Sequence, residues 1–227
     1  MHARAPRLEM CPIIMPDAHT LIDKLVGDLE AVRPLKHSQG FAVAMTSACL
    51  GMLGMIGLFG IRPDLAAGEF EPSHIIATGL FLLLAIASAA SVVTMSHPRV
   101  GTVHAGWVWP AAMVALLPVA ALLYAFSEGS NLLAHESVTH GILCLTIVGT
   151  TTTMVMVALI WWLRRGAPTS PERAGLLAGL ASGSFGIFTF SLYCPENDIV
   201  HIWLWHTSAL LLAAAAGRLI VPSLVRW

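Results

Sequence analysis

Charge is what this sequence has least of. Of 227 residues, 12 are Lys or Arg and 13 are Asp or Glu, a charged share of 11% where a soluble domain carries about a quarter. The net charge of −1 leaves no basic excess to displace counterions from phosphates, which excludes nucleic acid as a partner. Four cysteines are too few for a disulfide scaffold, none stands in a CxxC, and no two histidines have the HxxxH spacing that marks zinc. Strict polar–apolar alternation is missing as well, which excludes a membrane β-barrel. What is abundant is apolar: 56% of the residues, with a mean hydropathy of +0.76. The composition is that of an all-α, polytopic membrane protein.

A helix crosses the bilayer core in about 20 residues, at about 1.5 Å of rise each. Six stretches satisfy this: 41–60, 74–95, 107–126, 138–163, 174–192 and 199–220. They divide the chain into an arm (1–40), a six-helix transmembrane domain (41–220) and a short tail (221–227). No apolar run in the arm is long enough for a signal peptide, so the arm is expected to be retained. With six crossings, 11 of the 12 bases fall on one side. These are Arg4, Arg7, Lys24, Arg33 and Lys36 in the arm, Arg99, Arg164, Arg165 and Arg173 in loops, and Arg218 and Arg226 at the C-terminal end. Only Arg62 falls opposite, so both termini are expected in the cytoplasm.

The second half of the arm has helical periodicity. Leu21, Ile22, Leu25, Val26, Leu29 and Val32 form an apolar stripe, and Asp23, Lys24, Asp28 and Glu30 occupy the other face. Asp17 after Pro16 is placed to cap the run and Pro34 to end it. So short a helix is marginal alone and needs a surface for its stripe: the membrane, its own bundle or a partner's groove. The acidic polar face disfavours anionic lipid, and partner docking is the expectation.

Within the spans, Gly175, Gly179 and Gly183 are spaced for close helix packing, and Trp107, Trp109, Trp161, Trp162 and Trp227 near span ends read as interfacial anchors. Cys11 falls on the reducing side and Cys49 mid-span. Cys144 and Cys194 fall near the outer ends of spans four and five, where an oxidising compartment permits a disulfide or a redox-responsive pair. His74, His135, His140, His201 and His206 also fall on or near the outer half, so a metal site is an alternative. His140 shares a helical face with Cys144, and His206 lies two turns inside span six, where a polar side chain needs a partner; these two are the candidate metal ligands. His201 and His206, five apart, would stand about 140° apart on an α-helix, poor geometry for shared ligation. No catalytic constellation and no bound cofactor are expected. Two rivals are a small metal or solute transporter, which would want a charge near mid-membrane where no span has one, and a membrane redox protein, which would want facing histidines for haem.

Taken in order, several segments resemble the NrsF family, membrane-bound negative regulators of extracytoplasmic-function (ECF) sigma factors. They are the arm from Thr20 to Leu35, Gly60-Ile61-Arg62-Pro63-Asp64-Leu65, Cys144-Leu145, Arg164-Arg165-Gly166-Ala167-Pro168, Cys194-Pro195-Glu196 and Trp205-His206. The resemblance runs from about residue 20 to the C-terminus. It implies a six-helix anti-sigma factor of the bacterial inner membrane, whose cytoplasmic arm sequesters an ECF sigma factor and whose paired outer cysteines, Cys144 and Cys194, respond to heavy-metal or oxidative stress. The sigma-binding residues expected on this basis are Leu21, Ile22, Asp23, Leu25, Asp28 and Leu29.

Overall fold

A computed structural model describes residues 18–29, 34–69, 71–97, 109, 112, 138–195 and 201–225. The chain forms two units, Met1–Pro34 and Leu35–Trp227.

The first unit contains helix α1, Ala18–Gly27. The apolar stripe is on the surface: Leu21, Ile22, Leu25, Val26 and Leu29 are each more than half exposed. The amphipathic run is shorter than its periodicity suggests. It stops at Gly27, whose helix propensity is about 1 kcal/mol below that of alanine, and two further turn bonds, Asp28 N–H to Lys24 and Leu29 N–H to Val26, finish it. The expected cap Asp17 and the distal positions Glu30, Val32 and Arg33 lie outside the described residues.

The second unit is a bundle of α2 (His37–Phe59), the short α3 (Pro63–Ala67), α4 (Pro72–Met95), α5 (Val138–Arg165), α6 (Pro171–Ser191), a π-helical turn (Ile202–His206) and α7 (Thr207–Val225). Five described helices are long and apolar enough to cross a membrane: His37–Phe59, His74–Met95, Thr139–Arg165, Pro171–Ser191 and Leu204–Val225. They correspond to five of the six expected spans; the stretch 107–126 lies outside the described residues, apart from positions 109 and 112. Outward-facing positions on these helices are apolar, among them Leu53, Leu58, Ile76, Leu83, Leu212 and Leu219, as a lipid-facing surface requires.

Helix α6 is the axis of the bundle: 89% of its apolar window is buried, against 28–44% for the other four spans. It packs on α4, α5 and α7 and touches α2. The glycine spacing explains its closest contact. A Cβ on Gly179 would run into the Ala213 carbonyl and lie 2.7 Å from Ala214 Cα, and a Cβ on Gly217 would strike the Gly175 carbonyl. The small residues let α6 and α7 meet backbone to backbone.

Two ends of the bundle are distinct. At one end His37 stacks on His97 with ring centroids 3.9 Å apart, and His97 Nε2 lies 2.9 Å from the Leu35 carbonyl. Trp162 Nε1 donates to Ser96 Oγ at 3.1 Å, and Ala167 N–H donates to the Ser96 carbonyl at 3.0 Å. Trp162 is therefore a buried core residue and not the interfacial anchor expected of it. Its neighbour Trp161 is exposed and carries the Arg165 guanidinium 3.7 Å over its ring. The end of α2, the start of α4, the start of α5 and the end of α6 meet at the opposite end, so α4 finishes and α5 begins at opposite ends of the bundle.

Candidate functional site

The chemistry collects at that second end. Helix α2 closes on Gly60, whose φ of 84° suits glycine and whose N–H bonds to Ile56. The chain then turns so that Arg62 N–H donates to the Leu192 carbonyl at 3.0 Å. Arg62, the one base expected on the outer side, is only 3% exposed. Its Nε and Nη2 fork onto Asp64 at 2.9 and 2.5 Å. Its Nη1 donates to the Cys194 carbonyl at 2.7 Å and lies 3.3 Å from His74 Nδ1. One planar cation thus ties the turn after α2 to the start of α4 and to the segment carrying Cys194, a task suited to a rigid fork of donors. A further tie between α4 and α6 runs from Thr78 Oγ1 to Ser191 Oγ at 3.2 Å.

The Arg62 fork lowers the Asp64 carboxyl from 3.8 to about 2. A depressed carboxyl pKa contributes stability that is complete above the unfolded value and is lost as pH falls through the folded one. The brace is therefore expected to persist throughout the neutral and mildly acidic range and to fail only between about pH 4 and 2. Thermal unfolding followed by circular dichroism against pH checks this: Asp64→Asn should remove the acid-limb step that the parent shows.

Cys194 follows the end of α6, its N–H held by the Phe190 carbonyl at 2.9 Å. Cys144 is near the start of α5, and His201 stands immediately before the π-turn. Cys144 Sγ and His201 Nε2 are hydrogen-bonding partners at 3.4 Å. Together with Cys194 Sγ, the three ligand-type atoms all lie within 4.8 Å of one another, and all three side chains are buried. Neither sulfur is in a disulfide. The expected thiol pair is thus brought together, from helices far apart in sequence.

The imidazole that joins the pair is His201, while the two candidate metal ligands lie elsewhere. His140 is exposed, one turn before Cys144, and His206 is buried behind the cluster. The α-helical spacing that set His201 and His206 apart does not hold here. Residues 202–206 form a π-turn, whose i→i+5 winding carries the fifth residue back towards the first. The two rings meet edge to face with centroids 5.8 Å apart. His206 also sits edge-on to Phe81 and Phe190. Its Nε2 is buried with no hydrogen-bond partner among the described residues. It lines a cavity of about 10 Å³, shared with His74, Thr78, Ser191 and Cys194, close to the minimum for one water.

The sequence marks Arg62 only by its side of the bundle and leaves His201 out of the candidate ligands. The signal for Arg62 is in the sequence, a single base segregated from the other eleven with an acid two residues on. The signal for His201 is not, because it depends on the π-turn. The expected sigma-binding residues are on a different unit: Leu21, Ile22, Asp23 and Leu25 on α1, with Asp28 and Leu29 in the turn after it.

Loss of one charge-assisted hydrogen bond costs roughly 1.5–3 kcal/mol, enough to make local opening about tenfold or more frequent. Arg62→Gln is accordingly expected to speed alkylation of Cys194 by about tenfold, measured by maleimide mass tagging of the folded protein in detergent.

A family model described as negative regulator of sigma F matches residues 25–227. A probable anti-sigma-F factor of Azospira oryzae is 30% identical over 217 residues, covering 91% of this chain and 98% of the relative. An anti-sigma-F factor of Caulobacter vibrioides is 28% identical over 215 residues, with 91% and 98% covered. No solved structure matches the chain. With the whole bundle inside the match, including Arg62, Cys144, Cys194, His201 and the π-turn, the chain belongs to the family of negative regulators of sigma F.

Proposed function

We propose that this chain is a membrane-bound anti-sigma factor of the bacterial inner membrane. Its N-terminal arm holds an ECF sigma factor in the cytoplasm, and a heavy-metal or oxidative signal at the periplasmic end of the bundle releases it. The observation that carries this reading is the exposed stripe of Leu21, Ile22, Leu25 and Leu29 on α1, in a chain whose relatives are named anti-sigma factors. An amphipathic helix of this kind fits an apolar groove, with Asp23 and Asp28 facing basic surface at the rim.

Support for the membrane placement comes from the five apolar helices and their apolar outer faces. The count of six crossings is supported by α4 and α5 having their adjoining ends at opposite ends of the bundle, and cytoplasmic termini by the 11-to-1 division of the bases. Cys144 and Cys194 as the signal input are supported by their proximity in a polar cluster at the end opposite Arg164 and Arg165. Release requires that the modified or occupied thiols favour the sigma-free state, because a signal with equal affinity for both states moves nothing.

Two experiments test this. Full-length tagged protein from unstressed cells should co-purify a sigma factor; its absence would contradict the reading. Cys144→Ser with Cys194→Ser should leave the sigma regulon silent under metal or oxidant stress, measured as reporter transcription. A normal induction in that double variant would reject the thiols as input.

A further inference from the structure

The geometry points to Cys144, Cys194 and His201 as the three protein ligands of a site for a soft d10 divalent ion, with zinc- or cadmium-like chemistry. This deepens the reading that the thiols are the signal input and rests on it for its biological use, although not for the binding itself.

The argument starts from distances. Zn–S bonds of about 2.3 Å and Zn–N bonds of about 2.05 Å at a tetrahedral angle put S and N about 3.6 Å apart and S and S about 3.8 Å apart. The observed Cys144 Sγ to His201 Nε2 distance is 3.4 Å, and no pair among the three ligand atoms exceeds 4.8 Å. The cluster closes around an ion with movements of a few tenths of an ångström to about one ångström. Larger cadmium needs less closure.

Charge is the second argument. Binding ionises both thiols: two S–H bonds break, two metal–sulfur bonds form, and two protons leave to solvent, with His201 neutral. Two thiolates and a divalent ion sum to zero, so the filled site carries no net charge in a buried place where an uncompensated one would be costly. Two sulfurs and one imidazole favour zinc, cadmium and other thiophilic ions over magnesium or calcium, which want oxygen.

The third is an independent feature beside the cluster. Cys194 borders the small cavity into which His206 Nε2 presents a buried, unpartnered nitrogen. The cavity has room for one water, which His206 is placed to hydrogen-bond beside the Cys194 ligand. The π-turn follows from the same requirement: it brings His201 to the thiols while turning His206 to the cavity. Arg62, through the Cys194 carbonyl, fixes the position of one ligand.

The test is cadmium titration of reduced, full-length protein in detergent. It follows the thiolate-to-cadmium charge-transfer band in the near ultraviolet, with stoichiometry from equilibrium dialysis. The expected result is one ion per chain, with the band lost in Cys144→Ser and in Cys194→Ser and affinity lowered at least tenfold in His201→Ala. His140→Ala and Cys49→Ser should bind as the parent does. His201→Cys, which offers a third thiolate, should restore tight binding and so separates lost ligation from lost folding. Unchanged affinity in His201→Ala, or failure of His201→Cys to recover it while helicity is retained, overturns the assignment. One-to-one binding through these residues without sigma release in cells would leave the site standing and remove its signalling role. Thiol-dependent release without cadmium binding would do the reverse.

Discussion

Leu25→Asp is expected to abolish sigma-factor retention and to leave the regulon on without stress. Leu25 is central in the stripe, one turn from both Leu21 and Leu29, and 59% exposed. It therefore has most of its apolar surface to bury on docking, and full burial of a leucine is worth about 1.5–3 kcal/mol. The substitution forfeits that gain and adds the cost of forcing a carboxylate into an apolar groove, which is several kcal/mol more unless it is paired. A combined loss of about 4 kcal/mol is close to a thousandfold in affinity. Asp23→Asn, at the rim, should cost about 1 kcal/mol or less and show mainly as a slower, less salt-sensitive association. Affinity capture of the sigma factor on the full-length protein in nanodiscs measures both. Because α1 lies in a unit of its own, the bundle should melt unchanged in either variant, which distinguishes a docking defect from an unfolded protein.

Gly179→Leu is expected to dismantle the bundle itself. The added Cβ would meet the Ala213 carbonyl and Ala214 Cα, both backbone atoms that no side-chain rotation can move. Relief requires α7 to slide away from α6, the most buried of the described spans. Ordinary overpacking costs about 1–3 kcal/mol, and here the separation of two helices comes on top of it. The expected outcome is little or no protein in the membrane fraction, and early loss of helical signal when the remainder is titrated with denaturing detergent. Gly149→Ala is the matched control. It sits mid-span with nothing within 4 Å of the added Cβ and should be neutral or slightly stabilising. Similar behaviour of the two variants would mean that the α6–α7 contact does not hold the bundle together.

Much of this architecture was readable from the residues, for identifiable reasons. Long apolar runs predict the spans because a single segment crossing lipid satisfies all its own backbone groups only as a helix, and five of them appear as helices within a few residues of their expected limits. Gly175, Gly179 and Gly183 announced close packing, and the structure adds what they pack against: Gly217 and Ala213 on α7. Cys144 and Cys194 were paired by side and resemblance alone, and the three-dimensional distance between their sulfurs had no local signature. Trp162 misled because a tryptophan at a span end is equally suited to an interface and to a core, and only the partner Ser96 decides between them. His201 was misjudged because periodicity presumes α-helical winding. One π-turn changes the angular step, and nothing in Ile202–His206 announces it. Arg62 was counted as a topology marker, since burial of a charge depends on neighbours distant in sequence, here Cys194 and His74.

Sidedness joins these parts into one device, and it can be measured directly. In a background with every native cysteine changed to serine, a single thiol is placed at Glu69→Cys, exposed near the Arg62 end of the bundle, or at Asp28→Cys beside the leucine stripe. Sealed spheroplasts are then treated with a membrane-impermeant maleimide. The prediction is rapid labelling at position 69 in sealed cells and labelling at position 28 only after the membrane is opened. Labelling at position 28 from outside, with position 69 protected until lysis, would place the docking helix away from any sigma factor and contradict the proposed mechanism.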